Sequence, residues 1–198
     1  MELFNISCVG DSLTYGYGVD NREDNCYPHV LNNLLGDDFV VGNFGVNGAT
    51  ILKTGDLPYW DHENFKMSGM IDPHDVIIML GSNDSKAHNF TNMDEFINTY
   101  EEMINHYRSL PSKPRIYIVT PPTVFPAQDG ASSSIQGDIV ASIAEAIRGL
   151  GKKLRVSVID IHKKTADYPE GFLSDGVHTN IKGAKFMAEL VFRELSKK

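Results

Sequence analysis

Residues 3–18 read LFNISCVGDSLTYGYG, and this stretch decides how the rest of the chain is interpreted. The run from Phe4 to Val9 is apolar and nearly continuous, which is typical of a strand buried on both faces. It stops abruptly at Gly10-Asp11-Ser12, where small and hydroxyl-bearing residues take over. Two interpretations of Ser12 follow: it caps the next helix, or it is a nucleophile displayed at the end of the strand.

Further runs of the same kind recur along the chain, at residues 39–41, 76–80, 115–120 and 156–159. Segments with helical spacing lie between or after them, at 93–110, 135–150 and 181–195. Strands that alternate with helices predict a central, mainly parallel five-stranded sheet with helices on both faces. The expected fold is therefore three-layer α/β/α, in one domain over residues 1–198, with irregular segments at 50–68 and 123–134.

The ends of two of these helices have recognisable signals. Thr91 with Asp94, or Asn92 with Glu95, forms a capping box that would start the helix over 93–110. The glycines at 149 and 151 are expected to end the helix over 135–150.

Polar motifs follow the strands, at the edge of the sheet where open α/β folds place their sites. They are Gly10-Asp11-Ser12, Asn43 to Gly48, Gly81-Ser82-Asn83-Asp84 and, beyond a loop, Ser174-Asp175-Gly176-Val177-His178. Each combines glycine with a hydroxyl, amide, carboxylate or imidazole. Together they contain the parts needed for acyl transfer.

The chemistry assigns a role to each part. The Ser12 hydroxyl needs a base, and His178 is the candidate, since imidazole accepts a proton near neutral pH. Asp175 can fold back across a turn to orient that imidazole. The backbone N–H groups of Ser12 and Gly48 and the side-chain amide of Asn83 are natural donors to the oxyanion of the tetrahedral intermediate.

These motifs resemble those of the SGNH hydrolases, also called the GDSL esterase/lipase family: GDSLT at 10–14, NFGVNG at 43–48, GSND at 81–84 and DGVH at 175–178. The resemblance covers almost the whole chain, and the motifs have the family's order and spacing. It implies a flavodoxin-like SGNH fold, with Ser12 as nucleophile, Gly48 and Asn83 as oxyanion donors, and Asp175 and His178 as the DxxH pair.

Each motif also has a simpler structural interpretation. Ser12 alone would be assigned as an N-cap, and the DGVH motif is what favours the nucleophile instead. Asn83 and Asp84 are common turn residues. We expect Asn83 to be functional, Asp84 to hold its loop, and Asp11 to stabilise its turn.

Composition excludes several classes of partner. The net charge of -8 disfavours nucleic acid, whose binding needs clustered Lys and Arg, and the only basic clusters are short. No apolar stretch is long enough for membrane insertion. Oligomeric state is left open. Localisation also stays open: the chain as written indicates the cytoplasm, and a trimmed mature form would be periplasmic or extracellular.

The sequence predicts neither a metal nor a cofactor. No His, Cys and acidic residues have metal-ligand spacing. Cys8 and Cys26 are expected to be free thiols, although the sequence leaves a bridge between them open.

The substrate is indicated by one irregular stretch. Tyr59 and Trp60, the latter the only tryptophan, follow the Gly48 turn. Exposed aromatic rings near a site often stack on sugars, so we expect both to bind substrate, against the alternative that Trp60 packs the loop onto the core. This insert is similar to carbohydrate and sialate O-acetylesterase members of the family, which implies removal of acetyl groups from sugar or glycan esters. The alternatives are a lysophospholipase or thioesterase with the same catalytic residues, and a non-catalytic glycan-binding protein.

Overall fold

A parallel β-sheet forms the centre of the molecule. The computed structural model describes residues 3–197, and within them five strands run parallel in the order β2-β1-β3-β4-β5. The strands are β1 (Phe4–Gly10), β2 (Phe39–Gly45), β3 (Asp75–Met79), β4 (Arg115–Val119) and β5 (Ser157–Ile159). The predicted sheet is confirmed.

Helices connect these strands. They are α1 (Ser12–Tyr15), α2 (Arg22–Asn25), α3 (Tyr27–Leu35), α4 (Glu63–Met70), α5 (Met93–Arg108), α6 (Gly137–Leu154), α7 (Ile161–Thr165) and α8 (Ile181–Leu195). Short 3₁₀ turns lie at Tyr59–Asp61, Asn83–Ser85 and Pro169–Gly171.

Both faces of the sheet are buried, which explains the continuous apolar runs. Alternate residues of β3 point to opposite sides: Ile77 belongs to one core cluster, and Ile78 belongs to the other. The first cluster includes residues of α3 and α8, and the second includes residues of α5 and α6. The three-layer α/β/α expectation is therefore confirmed.

The start of α5 follows one of its two predicted signals. Asn92 is the N-cap, and its side-chain oxygen accepts the N–H of Glu95 at 2.9 Å.

The predicted end of helix α6, at the glycines 149 and 151, is wrong. Helix α6 runs through Gly149 and Gly151 to Leu154, and Arg155 takes the left-handed conformation at its C-terminus. A Cβ on Gly151 would lie 2.1 Å from Val158 Cγ2, so this glycine lets α6 pack closely on β5 rather than ending the helix.

Three strands end at the same level and define the edge that carries the site. Gly10 of β1 pairs in register with Gly45 of β2 and with Met79 of β3. Strand β2 is longer than the predicted run at 39–41, so Asn43 lies within the strand rather than after it. A Cβ on Gly45 would meet Tyr15 N at 2.1 Å, which shows how closely α1 crosses this edge.

Candidate active site

The turn after β1 places the Ser12 side chain at the sheet edge. Asp11 is the N-cap of α1, and its Oδ1 accepts the Leu13 N–H at 2.9 Å. The capping role considered for Ser12 is thus filled by its neighbour, which confirms the structural role expected for Asp11. Gly10 is required here, because a Cβ would lie 2.0 Å from Thr14 Oγ1.

His178 connects Ser12 to Asp175. Ser12 Oγ lies 2.9 Å from His178 Nε2, and His178 Nδ1 lies 2.6 Å from Asp175 Oδ2. Because an ionised carboxylate only accepts hydrogen bonds, His178 Nδ1–H donates to Asp175. A histidine with its one ring proton on Nδ1 has a lone pair on Nε2, the atom that lies beside the Ser12 hydroxyl.

A tight turn holds Asp175 in this position. Its Oδ1 accepts the N–H groups of Val177 and His178, both at 2.9 Å. Gly176 has φ +73°, and a Cβ there would lie 2.0 Å from the Phe125 carbonyl oxygen. Although burial acts to raise the pKa of Asp175, the hydrogen bonds from the His178 ring and the two N–H groups lower it overall. The carboxylate therefore stays charged beside the imidazole.

The two further oxyanion-donor candidates line the same cavity as Ser12. Gly48 adopts φ +82°, a conformation that glycine tolerates best. Asn83 begins a 3₁₀ turn, and its Nδ2 donates to the Ala49 carbonyl at 3.1 Å. This bond ties the Asn83 loop directly to the residue after Gly48.

Asp84 joins the two loops a second time. The side chain is fully buried, and its two oxygens accept the N–H groups of Ile51 at 3.0 Å and Leu52 at 2.8 Å. The carboxylate thus fixes the segment after Gly48 relative to the Asn83 turn. This confirms the expectation that Asp84 holds its loop.

Burial changes the acidity of both structural carboxylates. It raises the pKa of Asp11 to about 6 and that of Asp84 to about 7. In each case backbone N–H donors act in the opposite direction, and for Asp84 the nearby charge of Asp11 adds to the rise.

The cavity in front of Ser12 has a volume of about 370 Å³. Polar and apolar surfaces contribute about equally to its wall, and the lining residues are Ser12, Tyr17, Asn47, Gly48, Ser82, Asn83, Lys86, Ser132, Ser133, Ser134, Ile135, Asp175, Val177 and His178. The segment 132–135 and Lys86 were not found from the sequence, because no motif marks them.

Tyr17 was also missed. Its ring centroid lies 4.7 Å from that of His178, at an interplanar angle of 52°, and the residue is 52% exposed. The ring forms one wall of the cavity. The signal was present in Tyr15-Gly16-Tyr17-Gly18, where Gly16 and Gly18 take positive φ angles that turn the chain back over the site.

The family described as "GDSL-like Lipase/Acylhydrolase family" matches residues 8–186 of this chain. The chain belongs to this family. The resemblance predicted from the four motifs is confirmed, since all four lie inside the matched range.

Several proteins similar to this GDSL-like protein are named as esterases. An acetylxylan esterase from Xylanibacter ruminicola is 31% identical over 96% of this chain and 42% of its own length. An isoamyl acetate-hydrolyzing esterase 1 homolog from Bos taurus is 26% identical over 67% of this chain and 60% of its own length. The chain spans about half the length of the curated relatives it matches.

Solved structures support the same fold. A carbohydrate acetylesterase family member from Sinorhizobium meliloti superposes with a TM-score of 0.79 at 23% identity, covering 98% of this chain and 97% of that one. The native aryl esterase of M. smegmatis gives 0.76 at 19% identity, covering 97% and 98%.

The expectation that Tyr59 and Trp60 contact substrate is corrected by their burial. Tyr59 is 0% exposed, and its hydroxyl donates to the Phe44 carbonyl at 2.7 Å. Trp60 is half-buried, and its Nε1–H donates to the Ile51 carbonyl at 2.7 Å. Neither residue lines the cavity at Ser12. Both rings pack the irregular segment onto the core, which was the alternative considered for Trp60.

Within residues 3–197, no group of three or more His, Cys, Asp and Glu side chains could hold a metal ion. Cys8 and Cys26 are buried free thiols, and burial raises the pKa of Cys8 to about 12. In the same part of the chain, no helix combines the length and apolar character needed to cross a membrane.

Proposed function

We propose that this GDSL-like protein is a serine esterase that removes short acyl groups, chiefly acetyl, from a carbohydrate hydroxyl. One observation carries the proposal: the continuous contact from Ser12 Oγ through the His178 ring to Asp175, at 2.9 and 2.6 Å. Nucleophile, base and orienting acid within hydrogen-bond reach are the requirement for nucleophilic acyl transfer.

The first half of the reaction forms an acyl-enzyme. His178 Nε2 takes the hydroxyl proton while Ser12 Oγ attacks the ester carbonyl carbon, and the carbonyl electron pair moves onto its oxygen. Donors from Ser12 N–H, Gly48 N–H and Asn83 Nδ2 stabilise this oxyanion. The intermediate then collapses: the bond to the alcohol oxygen breaks, and His178 gives its proton to the leaving sugar hydroxyl.

The second half releases the acid. A water molecule gives a proton to His178 and attacks the acyl carbon, and the oxyanion forms again against the same donors. Collapse breaks the bond to Ser12 Oγ, which recovers its proton from His178. Asp175 stays ionised throughout and stabilises the imidazolium that forms in each half.

The cavity supports a small acyl group on a polar alcohol. Its volume of about 370 Å³ is near the small end for ligand sites, and hydroxyl, amide and charged groups supply about half of its wall. A long acyl chain would need a continuous apolar surface, to which this wall contributes Ile135 and Val177. The similarity to an acetylxylan esterase points the same way.

Substrate profiling tests the proposal. We expect p-nitrophenyl acetate to be hydrolysed faster than octanoate or longer esters, and acetate to be released from acetylated xylan or acetylated methyl glycosides. Faster turnover of long-chain esters, acyl thioesters or lysophospholipids would contradict the acetylesterase assignment and favour the rival family activities.

A single substitution separates catalysis from simple binding. Ser12→Ala should lower kcat on p-nitrophenyl acetate by about a thousandfold or more, because the nucleophile is lost while binding groups remain. Activity equal to that of the parent would reject Ser12 as nucleophile. Glycan binding by a parent protein without esterase activity would instead favour a non-catalytic role.

A further inference from the structure

One positive charge lies in the wall of the catalytic cavity. Among the residues that line it, all within the described range 3–197, Lys86 is the one lysine or arginine. That side chain is 17% exposed. A cation withdrawn this far from water gains from an anionic partner, because part of its hydration has been lost.

The backbone around Lys86 is fixed relative to the oxyanion-donor candidate. The Lys86 N–H donates to the Asn83 carbonyl at 3.2 Å, and the Lys86 carbonyl accepts the N–H groups of Asn89 and Phe90, both at 2.9 Å. Lys86 therefore belongs to the same rigid turn as Asn83. The backbone that carries the Lys86 side chain is thus held in place at the cavity wall.

The acidic neighbour of Lys86 is already engaged elsewhere. Asp56 Oδ2 lies 3.9 Å from Lys86 Nζ, longer than a hydrogen bond. The same oxygen is 3.0 Å from His88 Nε2, and Asp56 Oδ1 accepts from Asn89 Nδ2 at 2.9 Å. At this distance Asp56 attracts the Lys86 ammonium without accepting a hydrogen bond from it. The N–H donors of that ammonium therefore stay available to a ligand in the cavity.

We propose that Lys86 forms an anion subsite that selects esters carrying a carboxylate, such as an acetylated uronic acid. This inference rests on the proposed esterase function and adds a substrate class to it. A carboxylate held by the ammonium would orient the ester toward Ser12 and Asn83. The carboxylate could belong to the sugar or to the far end of the acyl group, and the substrates below distinguish these two sources.

The test compares esters matched except for charge. One pair is an acetylated methyl glucuronoside against an acetylated methyl glucoside, and the other is the succinyl half-ester against the butyryl ester of p-nitrophenol. For at least one pair we expect a kcat/KM preference of about fivefold for the acidic member, the size of a partly exposed ion pair. The preference should shrink as salt is added.

Substitutions assign the preference to Lys86. Lys86→Gln should abolish it while keeping activity on the neutral ester, Lys86→Arg should retain it, and Asp56→Asn should increase it by removing the competing carboxylate. Lys53→Gln is the matched control, since Lys53 pairs with Glu102 outside the cavity, and it should change nothing.

The possible results distinguish this inference from the proposed esterase function on which it rests. A preference for the acidic member of the sugar pair places the carboxylate on the alcohol, and a preference in the succinyl pair places it on the acyl group. Either preference supports the subsite if it is lost in Lys86→Gln. Equal rates within both pairs, or a preference that survives Lys86→Gln, overturn it while leaving the esterase function intact. Absence of hydrolysis in all four esters would reject the function itself.

Discussion

Two loops at the same edge of the sheet carry carboxyl groups whose pKa values shift in opposite directions. In the turn 174–178, Asp175 has a side chain 23% exposed, and hydrogen bonds from His178 and the backbone lower its pKa. In the loop 81–86, Asp84 is 0% exposed, and burial raises its pKa to about 7. Both accept two backbone N–H groups, so acceptor geometry alone does not distinguish them.

The difference shows what each carboxylate contributes. Asp175 faces an imidazole that must become positively charged during the reaction, so its own negative charge matters. Asp84 faces N–H groups of the segment after Gly48, so its position as an acceptor matters. We therefore expect substitutions of Asp175 to affect mainly activity, and substitutions of Asp84 to affect mainly stability.

The largest expected effect is that of Asp175→Asn. The amide oxygen can still accept the backbone N–H groups, but the charge beside His178 is lost and the preferred tautomer changes. We expect kcat to fall by about a thousandfold or more, with an unfolding temperature close to that of the parent. The control is Asp167→Asn, an exposed position, which should retain full activity. Full activity in Asp175→Asn would remove Asp175 from the mechanism.

Asp84→Ala should produce the reverse pattern. Two buried N–H groups lose their acceptor, at roughly 1–3 kcal/mol each, so we expect about 2–6 kcal/mol less stability in urea unfolding. Without Asp84, the segment after Gly48 is no longer fixed relative to the Asn83 turn, and both carry oxyanion-donor candidates. We therefore expect kcat to fall by about tenfold, far less than in Asp175→Asn. Asp84→Asn, which keeps one acceptor oxygen, should lie between the alanine variant and the parent. Unchanged stability in Asp84→Ala would show that the hydrogen bonds from Ile51 and Leu52 to Asp84 do not stabilise the fold.

The two loops also predict opposite pH dependences of stability. Between about pH 4 and about pH 7 the folded state keeps the proton of Asp84 while the unfolded state releases it, so stability falls as pH rises through this window. For Asp175, whose pKa is lowered by folding, stability is lost only as pH falls below about 4. Urea unfolding of parent and Asp84→Asn across this range should show a flatter profile in the variant. Identical profiles would contradict the buried, protonated Asp84.

The smallest expected effect comes from the aromatic rings. Tyr17→Leu removes the ring against His178, and we expect kcat/KM on p-nitrophenyl acetate to fall by roughly threefold to tenfold, the size of one aromatic contact. Trp60→Phe loses the bond to Ile51 and should lower the unfolding temperature without changing kcat/KM. The opposite result, with activity sensitive only at Trp60, would restore the original substrate-binding interpretation.

The sheet could be predicted because burial of its strands restricts which residues the sequence can have there. Strands covered on both faces must be apolar at consecutive positions, as Ile77 and Ile78 are in opposite core clusters. Helix ends were harder to predict. Gly151 looks like a terminator in sequence, and its role as a contact surface for Val158 depends on which strand lies beneath the helix.

The site could be predicted where chemistry restricts the residue type, as at Ser12 and His178. It could not be predicted where any of several residues would serve. Lys86 lies in a turn that has no unique signature, and the glycines around Tyr17 mark a turn without specifying which ring lines the cavity. Tyr59 and Trp60 were misassigned because an aromatic residue suits both a sugar platform and a core, and the carbonyls that hold these two rings inward are visible only in the fold.

Covalent labelling tests the central claim, that His178 and Asp175 activate Ser12, most directly. The parent protein would be treated with an aryl alkylphosphonate, which transfers its phosphonyl group to an activated serine and releases the phenol, and the product would be mapped by peptide mass spectrometry. We predict one adduct, on the peptide containing Ser12, with labelling absent in Ser12→Ala and strongly slowed in His178→Ala. Labelling of Ser12→Ala at the parent rate, or an adduct in the segment 132–134 instead, would contradict the account.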